Sequence, residues 1–571
     1  MLDFAPTHDK PLIVDLFCGG GGASEGIRDA LGRDPDVAIN HNPEAIALHT
    51  ANHPGTYHFN CNVWDVDPIN VSKNQKVGLL WASPDCKHFS RAKGDKPLDQ
   101  NIRSLAWVVV DWAEQTRPDV IIMENVVEFQ TWGPLGPDNK PIKEFEGFTY
   151  RRFLKRLRKC GYRIETRELQ GCDYGAPTIR KRWFLVARRD GRPIVWPAPS
   201  HGDPKSEAVK NGTLKPYRTV ADFVDWKEPV PSIFATKQEI KDTLGLTVKR
   251  PLVPNTLRRI AAGLLKYTIK SENPFVLPLD EEGNAQAPSI TKFNTGSIGH
   301  GVDQPLCTVT ANSHHKRPGG AAPIGMISAN MLSLKGTARR DSDITQPHPT
   351  VLAGGGHSAA IVSTMIQTGY GERKGQAPRT LDLNKPLGTV VAGGVKHAIV
   401  GANVQRFGYM AQHNTGVIGR SAKEPISAIT QTGSHQTPVV STAVDPAAGL
   451  TPQQVERARA VADFLRAYSD WDDGKYVTIT VKGVSYIMVD VGMRMLTPRE
   501  LFLAQGFPKD YVISGAMIDG VLKKFTKATQ VSCAGNAVNK QVAEALALAN
   551  CAHLATDALA INHEEKEVSV A

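Results

Sequence analysis

The chain has 571 residues, of which 41% are hydrophobic and 22% are charged, and its formal net charge is +10. This length exceeds the size at which one hydrophobic core stops growing, so we expect two domains. Runs of 18 or more apolar residues and a basic-then-apolar leader are both missing, which argues against a membrane protein or an exported one, and we expect a cytoplasmic location.

Eight cysteines are scattered along the chain without a Cys-x-x-Cys pair. This spacing excludes the usual zinc motifs and gives little support to a disulfide framework. We therefore predict no metal site. Most of these cysteines fit the role of small buried hydrophobes, and Cys86 is the exception.

The first predicted element is an apolar strand at residues 12–17, followed by a glycine loop at 18–22 and a helix at 23–31. A glycine loop between a strand and a helix is where open α/β sheets bind a cofactor. Such a loop alone also fits a nucleotide or a flavin. A second strand, at residues 37–39, ends next to Asn40.

Two further apolar strands lead to residues with reactive side chains. The strand at 77–82 opens into a loop containing Cys86, and the strand at 120–123 ends at Glu124. If these strands are parallel neighbours of the first, the thiol, the carboxylate and the glycine loop meet at one edge of the sheet.

A basic segment follows. Residues 151–192 contain fourteen Lys or Arg against four Asp or Glu, which indicates a polyanionic partner. A solvated helix face is the alternative for the cations at 151–159. Arg180 and Arg182 precede a strand at 183–187, and as alternate residues they are expected to point the same way.

Six segments, in this order, resemble blocks of the S-adenosylmethionine-dependent DNA (cytosine-5)-methyltransferase family. The resemblance covers roughly residues 10–190 and 490–550. The six segments are Asp-Leu-Phe-x-Gly-x-Gly-Gly at 15–22, Pro-Asp-Cys at 84–86, Glu-Asn-Val at 124–126, Arg-Lys-Arg at 180–182, the segment at 494–508 with its Gln-Gly-Phe-Pro, and Gly-Asn-Ala-Val at 535–538.

This resemblance implies a Rossmann-like α/β methyltransferase domain with a large, mainly β inserted target-recognition domain. We expect residues 1–195 to form the first part of the catalytic domain, 196–490 the insert, 491–552 a return that completes the catalytic domain, and 553–571 a tail. The implied activity is methyl transfer from S-adenosylmethionine to carbon 5 of cytosine in duplex DNA.

The resemblance also implies roles for individual residues. Cys86 would attack carbon 6 of the base, Glu124 would hold ring N3, and Arg182 would contact the base oxygen or order the nucleophile loop, with Arg180 in support; a phosphate contact or a surface salt bridge is the alternative for Arg180. The residues expected around S-adenosylmethionine are Asp15, Phe17, Gly19, Gly21, Gly22, Asn40, Asp65, Pro84, Asn536 and Val538. Asn536 could instead cap a helix at 538–549.

Several positions depart from the family pattern. Asp85 replaces a proline, Lys87 and Thr178 each replace a glutamine, and Asn40 stands where a glutamate is usual. Because the thiol and Glu124 are kept, we expect the reaction to be retained. RNA as the substrate, a modified cytosine or another alkyl donor, and a non-catalytic DNA-binding module remain as alternatives.

The insert contains four copies of a pattern that starts with proline and ends at histidine, near residues 295–440. The four histidines, 314, 357, 397 and 435, are about 40 residues apart, which predicts repeated units of short strands. Residues 293–440 hold 13 Lys or Arg against 6 Asp or Glu, which suits contact with phosphates. Structural, DNA-contacting and metal-binding roles stay open for these histidines.

Downstream of these repeats, we predict a helix at 456–468 and a hairpin at 476–489. The expected partners are double-stranded DNA and, in one scenario, a cognate restriction endonuclease, with the protein a monomer. An orphan enzyme or a phage enzyme, bacterial in setting and associated with the nucleoid, fits the sequence equally well.

Overall fold

The computed structural model describes residues 9–85, 104–225, 227–271, 451–481, 484–518 and 520–556, together with strands and one isolated position between 284 and 439. Cys86 lies outside the described residues, as do Lys87, the four histidines that end the predicted repeats apart from the backbone of His397, and residues 557–571.

Seven strands form one mixed sheet in the order β3-β2-β1-β4-β5-β7-β6. Only β7 runs against its neighbours. The strands are Leu12–Leu16 (β1), Val37–Asn40 (β2), Tyr57–Asn60 (β3), Val77–Ala82 (β4), Val120–Asn125 (β5), Arg163–Gln170 (β6) and Lys181–Arg188 (β7). The prediction that β1, β4 and β5 are parallel neighbours is confirmed.

Helices cover both faces of this sheet. They are Gly22–Leu31 (α1), Pro43–Asn52 (α2), Pro68–Ser72 (α3), Trp107–Gln115 (α4) and Phe148–Lys159 (α5). Alternate strand residues enter separate cores, since Ile13 packs with α1 residue Ile27 while Val14 packs with Trp112 of α4 and Phe153 of α5. Burial on both faces explains why these strands read as continuous apolar runs.

The middle of the chain begins with short elements that lead to a second sheet. They are β8 (His201–Gly202), α6 (Glu207–Lys210), β9 (Lys215–Pro216), α7 (Lys237–Leu244) and α8 (Pro254–Leu264). The strands that follow are Asn284–Lys292 (β10), Gly299–Gly301 (β11), Thr308–Val309 (β12), Gly325–Leu332 (β13), Ala359–Gln367 (β14), Thr380–Asp382 (β15), Thr389–Val390 (β16), His397–Arg406 (β17), Tyr409–Gln412 (β18), Arg420–Ser421 (β19) and Gln436–Val439 (β20).

The predicted helix and hairpin downstream are confirmed. Pro452–Tyr468 (α9) is capped by Thr451, and Thr478–Val481 (β21) pairs antiparallel with Val484–Met495 (β22). Strand β22 also pairs with β17, so it belongs to the eight-stranded sheet of the insert. The domain boundary expected at 490/491 therefore falls inside a continuous strand.

The C-terminal segment folds back onto the first sheet, as predicted. Its elements are Pro498–Ala504 (α10), Gly515–Ile518 (β23), Val521–Lys524 (β24), Lys527–Asn536 (α11) and Lys540–Cys551 (α12). Residues Val542 and Leu546 of α12 share a buried cluster with Ile27 of α1. The return thus completes one face of the catalytic sheet.

One capping prediction is wrong. Asn536 is the last residue of α11 and is exposed, whereas the N-cap of α12 is Asn539, whose side chain accepts a hydrogen bond from the Val542 N–H. The two asparagines are three residues apart, and a turn that ends one helix before the next begins cannot be read from the apolar pattern alone.

No helix within the described residues is long and apolar enough to cross a membrane.

Candidate active site at the carboxyl ends of the sheet

Glu124 lies near the end of β5 and is only 6% exposed. The Nε atom of Arg182 lies 3.0 Å from its Oε1 atom, and Nη2 of Arg180 lies 3.9 Å from the same oxygen. Both arginines are buried, and both point to Glu124 because they alternate at the start of the antiparallel neighbour β7. The expectation that residues 180 and 182 point the same way is confirmed.

The ion pair between Glu124 and Arg182 has atoms that can still bind a ligand. Among the described residues, neither Oε1 of Glu124 nor Nε of Arg182 takes part in a well-aligned hydrogen bond, although the two atoms are close. Buried polar atoms without partners are costly, and they recur where a ligand will supply the partner. The pair can therefore present both a carboxylate oxygen and a guanidinium N–H to a bound group.

Arg180 also connects Glu124 to the C-terminal return. Its Nη1 atom donates to the carbonyl of Gly535 at 3.2 Å, and its side chain is 4% exposed. Burial excludes the surface salt bridge that the sequence left open for this residue. Arg180 is a buried link between β5 and the segment that follows α11.

Asn125 fixes the chain that leads to the predicted nucleophile. Its Nδ2 atom donates to the carbonyl of Pro84 at 3.2 Å, while its Oδ1 accepts from the N–H of Val126. The N–H of Ser83 is held by the carbonyl of Leu16. Pro84 precedes Cys86 by two residues, so the entry to that loop is anchored to both neighbouring strands. Sequence analysis had treated Asn125 only as part of a motif.

The glycine loop is shaped partly by the C-terminal return. A Cβ atom added at Gly21 would lie closer than 3.0 Å to the hydroxyl of Tyr511, and one added at Gly22 closer than 3.0 Å to the carbonyl of Val538. Gly21 has φ 84°, and the Tyr511 hydroxyl donates to the carbonyl of Gly20 at 2.8 Å. These glycines are required for packing, and Tyr511 is a site residue that sequence analysis missed.

Gly19 and Phe17, at the start of the same loop, also have positive φ angles. Gly19 has φ 53°, and among the described residues a Cβ there would make only an ordinary contact with the carbonyl of Phe17, at 3.7 Å. Phe17 itself has φ 63°, which is a strained conformation for an aromatic residue and typical of functional sites. Its ring is only partly buried.

Asp15 lies beneath the loop in a buried polar chain. Its Oδ2 accepts from the Ser24 hydroxyl at 2.7 Å, His49 Nε2 lies 2.9 Å from that hydroxyl, and His49 Nδ1 lies 2.7 Å from His58 Nε2. Asp15 is fully buried, so the expected contact with a cofactor has no support in this geometry. Asp15 supports the glycine loop from the protein interior.

Burial sets the protonation of this chain. Desolvation raises the pKa of Asp15 to about 7, with the Ser24 hydrogen bond opposing the rise. Desolvation, followed by repulsion from neighbouring histidines, lowers the pKa of His49 well below its usual value and that of His58 to about 4. Near neutral pH both histidines are therefore uncharged, whereas Asp15 is about half ionised.

The other expected cofactor residues lie around the same edge. Asn40 ends β2 and accepts the Asn42 N–H on its side chain at 2.9 Å; Asp65 is exposed in a turn after β3; Pro84 follows β4. Val538 is buried against Gly22, whereas Asn536 is exposed. The carboxyl ends of β1, β2, β3 and β4 thus gather these residues on one side of the sheet.

This edge fits S-adenosylmethionine. The N-terminus of α1 begins at Gly21 without a side-chain cap, so its first N–H groups can receive a carboxylate. Phe17 offers a partly exposed ring, Gly19 leaves room beside the backbone, and Asn40 offers an amide for a ribose hydroxyl. Among the described residues, no cluster of three His, Cys, Asp or Glu side chains is arranged for a metal ion.

Comparison with known proteins identifies related chains. The family model for C-5 cytosine-specific DNA methylase matches residues 12–259 and 405–550. The type II methyltransferase M.AgeI of Thalassovita gelatinovora is 30% identical over 34% of this chain and 44% of its own length. M.AquIA, a type II methyltransferase of Picosynechococcus, is 27% identical over 41% of this chain and 96% of its own length.

The match thus spans less than half of M.AgeI but nearly all of M.AquIA. A crystal structure of a DNMT2 from Spodoptera frugiperda aligns with 93% of this chain and 97% of that one, at 15% identity and a TM-score of 0.39. The unmatched residues 260–404 lie within the predicted insert.

Proposed function

This chain belongs to the C-5 cytosine-specific DNA methylase family, and from that premise we propose that it transfers a methyl group from S-adenosylmethionine to carbon 5 of a cytosine in a specific duplex DNA sequence. The observation that carries the proposal is the buried Glu124, flanked by Arg180 and Arg182, beside the anchored Pro84.

The chemistry requires activation of the base, because cytosine carbon 5 is a weak nucleophile. Cys86, as a thiolate, adds to carbon 6 while Glu124 supplies a proton or hydrogen bond to N3, and the resulting enamine attacks through carbon 5. Loss of the carbon 5 proton and expulsion of the thiolate restore the ring and the free Cys86. S-adenosylmethionine supplies the methyl cation equivalent when bound at the α1 edge.

Arg182 suits a role at the base oxygen, since its Nε atom lies beside Glu124 and can point at the same ring. Arg180 keeps the carboxylate in place by joining it to Gly535. Asn125 holds the carbonyl of Pro84, two residues before Cys86. Fixed groups of this kind lower the cost of orienting the reactants.

A base inside duplex DNA cannot reach this buried pair, so the target cytosine must be flipped out of the stack. We assign recognition of the surrounding sequence to residues 196–490, whose predicted repeats around 295–440 carry excess positive charge. The protein would act as a cytoplasmic, nucleoid-associated monomer of a bacterium or phage.

The names of M.AgeI and M.AquIA describe type II methyltransferases. For this chain a cognate restriction endonuclease is therefore a proposed partner, and an orphan or phage role is the alternative. Genes adjacent to this one distinguish these cases.

The test is transfer of tritiated methyl groups from S-adenosylmethionine to unmethylated duplex DNA, with Cys86→Ala in parallel and sequencing of modified cytosines. We expect label at carbon 5 within one sequence and none with the variant. Label that persists in Cys86→Ala would rule out the covalent route. Label on RNA alone, or none on any nucleic acid, would favour the RNA enzyme or the binding module.

A further inference from the structure

Helix α5 carries a concentration of positive charge outside the active site. Its twelve residues include six Lys or Arg and no acidic residue: Arg151, Arg152, Lys155, Arg156, Arg158 and Lys159. All six side chains are exposed, while Phe153, Leu154 and Leu157 face the core. The helix therefore presents one continuous cationic face.

A groove of about 470 Å³ runs between this face and helix α4. Its cationic wall is formed by Arg152, Lys155 and Lys159, together with Arg156, which Glu114 of α4 binds through both carboxylate oxygens. Trp107 lies at the start of α4 and adds an apolar surface. The groove combines a flat ring with four cations, which outnumber its two acidic residues, Asp111 and Glu114.

The stability of α5 as a helix does not explain this arrangement of cations. Lys155 and Lys159 are one turn apart, as are Arg152 and Arg156, and like charges at that spacing destabilise a helix by about 0.2–0.5 kcal/mol per pair. Cations near the C-terminus are favoured by the helix dipole, but Arg151 and Arg152 lie near the N-terminus, where they are not. An anionic partner outside the chain would relieve the repulsion.

The groove leads to the catalytic edge of the sheet. Helix α4 ends shortly before β5 begins at Val120, and α5 ends shortly before β6 begins at Arg163. Arg163 of β6 pairs with Arg188 of β7, and Arg188 also pairs with Val120 of β5. Strands β5 and β6 therefore both start at the edge of the sheet opposite Glu124. Both helices therefore start near the edge that carries Glu124 and run away from it.

We propose that the groove between α4 and α5 binds the phosphate backbone of duplex DNA outside the target base pair, without reading its sequence. This inference rests on the proposed function, because it takes DNA as the substrate. Helix α5, at twelve residues, is about 18 Å long, and duplex DNA rises about 3.4 Å per base pair, so the cationic face can follow about five base pairs.

The test is the salt dependence of binding to a fluorescein-labelled 30-base-pair duplex. The variant Lys155→Gln/Lys159→Gln removes two cations one helical turn apart. The matched control, Lys73→Gln/Lys76→Gln, removes two exposed lysines between α3 and β4, at the edge of the sheet opposite Glu124. Because the α5 variant relieves like-charge repulsion, it should unfold at or above the wild-type temperature.

We expect the slope of log Kd against log salt to fall by about 1.8 in the α5 variant, or about 0.9 per lost phosphate contact. Between 50 and 200 mM NaCl, the wild-type affinity should then drop about tenfold more than that of the variant. The control should keep the wild-type slope. An unchanged slope in the α5 variant, or an equal fall in the control, would overturn the proposal.

Two further measurements separate this inference from the proposed function. If the wild-type protein methylates the duplex but the α5 slope is unchanged, the inference fails alone. If the slope falls as expected but no label reaches DNA, the groove stands and the methyltransferase assignment is contradicted. A fall seen with a 30-nucleotide RNA and absent with duplex DNA would reject DNA as the partner.

Discussion

The carboxylate of Glu124 is held inside the protein by two guanidinium groups, one at 3.0 Å and one at 3.9 Å. Charge balance of this kind lets an acid remain buried without a large cost, provided that its partners stay in place. The carboxylate and the two guanidinium groups are thus positioned in advance, which is the condition for electrostatic catalysis.

Glu124→Gln keeps the size of the side chain but removes its charge and its acid function. We expect the single-turnover rate of methyl transfer to fall by about 10²–10⁴-fold, the usual contribution of a positioned acid or base. Glu168→Gln, on β6, which β7 separates from β5, is the matched control and should keep the wild-type rate. An active Glu124→Gln enzyme would remove Glu124 from the mechanism.

The buried hydrogen-bond network beneath the glycine loop, which links Asp15 to His58, predicts an unusual dependence of stability on pH. The pKa of Asp15 is raised to about 7 in the folded protein, so between about pH 4 and 7 the folded state binds a proton that the unfolded state has lost. The stability from Asp15 is therefore present at low pH and lost as pH rises. His58, with its pKa lowered to about 4, acts in the opposite sense between about pH 4 and 6.5.

Asp15→Asn removes the pH dependence of stability that comes from Asp15 and leaves that of His58. The free energy of unfolding of the variant, relative to wild type, should rise by about 4 kcal/mol between pH 4 and pH 8, since one pKa unit corresponds to about 1.4 kcal/mol. Urea denaturation at a series of pH values measures this difference. A difference that is constant with pH for Asp15→Asn would contradict the assignment.

At the level of elements, the contact between α1 and α12 leaves no room for side chains at two glycines. A Cβ at Gly26 would lie 2.5 Å from the Lys540 carbonyl, and one at Gly22 would press on the Val538 carbonyl. Both obstacles are backbone atoms, which cannot rotate away. The close approach of these helices thus depends on glycine.

Gly22→Ala and Gly26→Ala should each lower the free energy of unfolding by about 1–3 kcal/mol, the usual effect of overpacking, and should weaken S-adenosylmethionine binding. Gly55→Ala is the control, because its Cβ would meet only Asp34 Oδ2 at 3.9 Å. Denaturation and calorimetric titration give both quantities. Equal effects at Gly22 and Gly55 would show that chain entropy, not the helix contact, is responsible.

Local patterns were sufficient to predict the elements that surround the site. The apolar runs of β1, β4 and β5 and the glycine loop at 18–22 identify the sheet edge, because burial on both faces and a strand-to-helix turn leave direct marks in a sequence. The alternation of Arg180 and Arg182 likewise predicted that they share a side.

Contacts between distant segments left no such mark. His49 and His58 look like unrelated helix and strand residues until folding brings them to Asp15 through Ser24. The same holds for Tyr511, whose hydroxyl reaches the carbonyl of Gly20 from nearly 500 residues away. Asn125 is adjacent to Glu124, yet its bond to Pro84 depends on the pairing of β4 with β5.

On the scale of the whole molecule, segments from both ends of the chain share their hydrophobic cores. Ala45 and Leu48 of α2 lie in one buried cluster with Val461, Leu501 and Tyr511. Strand β22 joins the insert sheet and runs directly to the α10 segment. These segments, from before and after the middle of the chain, therefore form one packed unit.

Separating the chain between β20 and α9 should leave this unit able to assemble. Co-expressed fragments 1–445 and 446–571 are expected to co-purify, because α12 buries its apolar face on α1. Affinity capture of one fragment followed by mass analysis measures this. Leu546→Asp in the second fragment should weaken capture, while the pairing of β22 with β17 retains part of it, and capture of wild-type strength would show that the α1–α12 contact does not help to hold the halves together.

The dependence of the glycine loop on Tyr511 and Val538 has a consequence during protein synthesis. A growing chain makes the loop at residues 18–22 early, yet the side chain and carbonyl that close around it are added only near residues 511–538. The closed form of the loop must then wait until the ribosome has passed residue 538. Under the proposed function, a product that terminates before residue 511 would lack the residues that close the loop and would not transfer methyl groups.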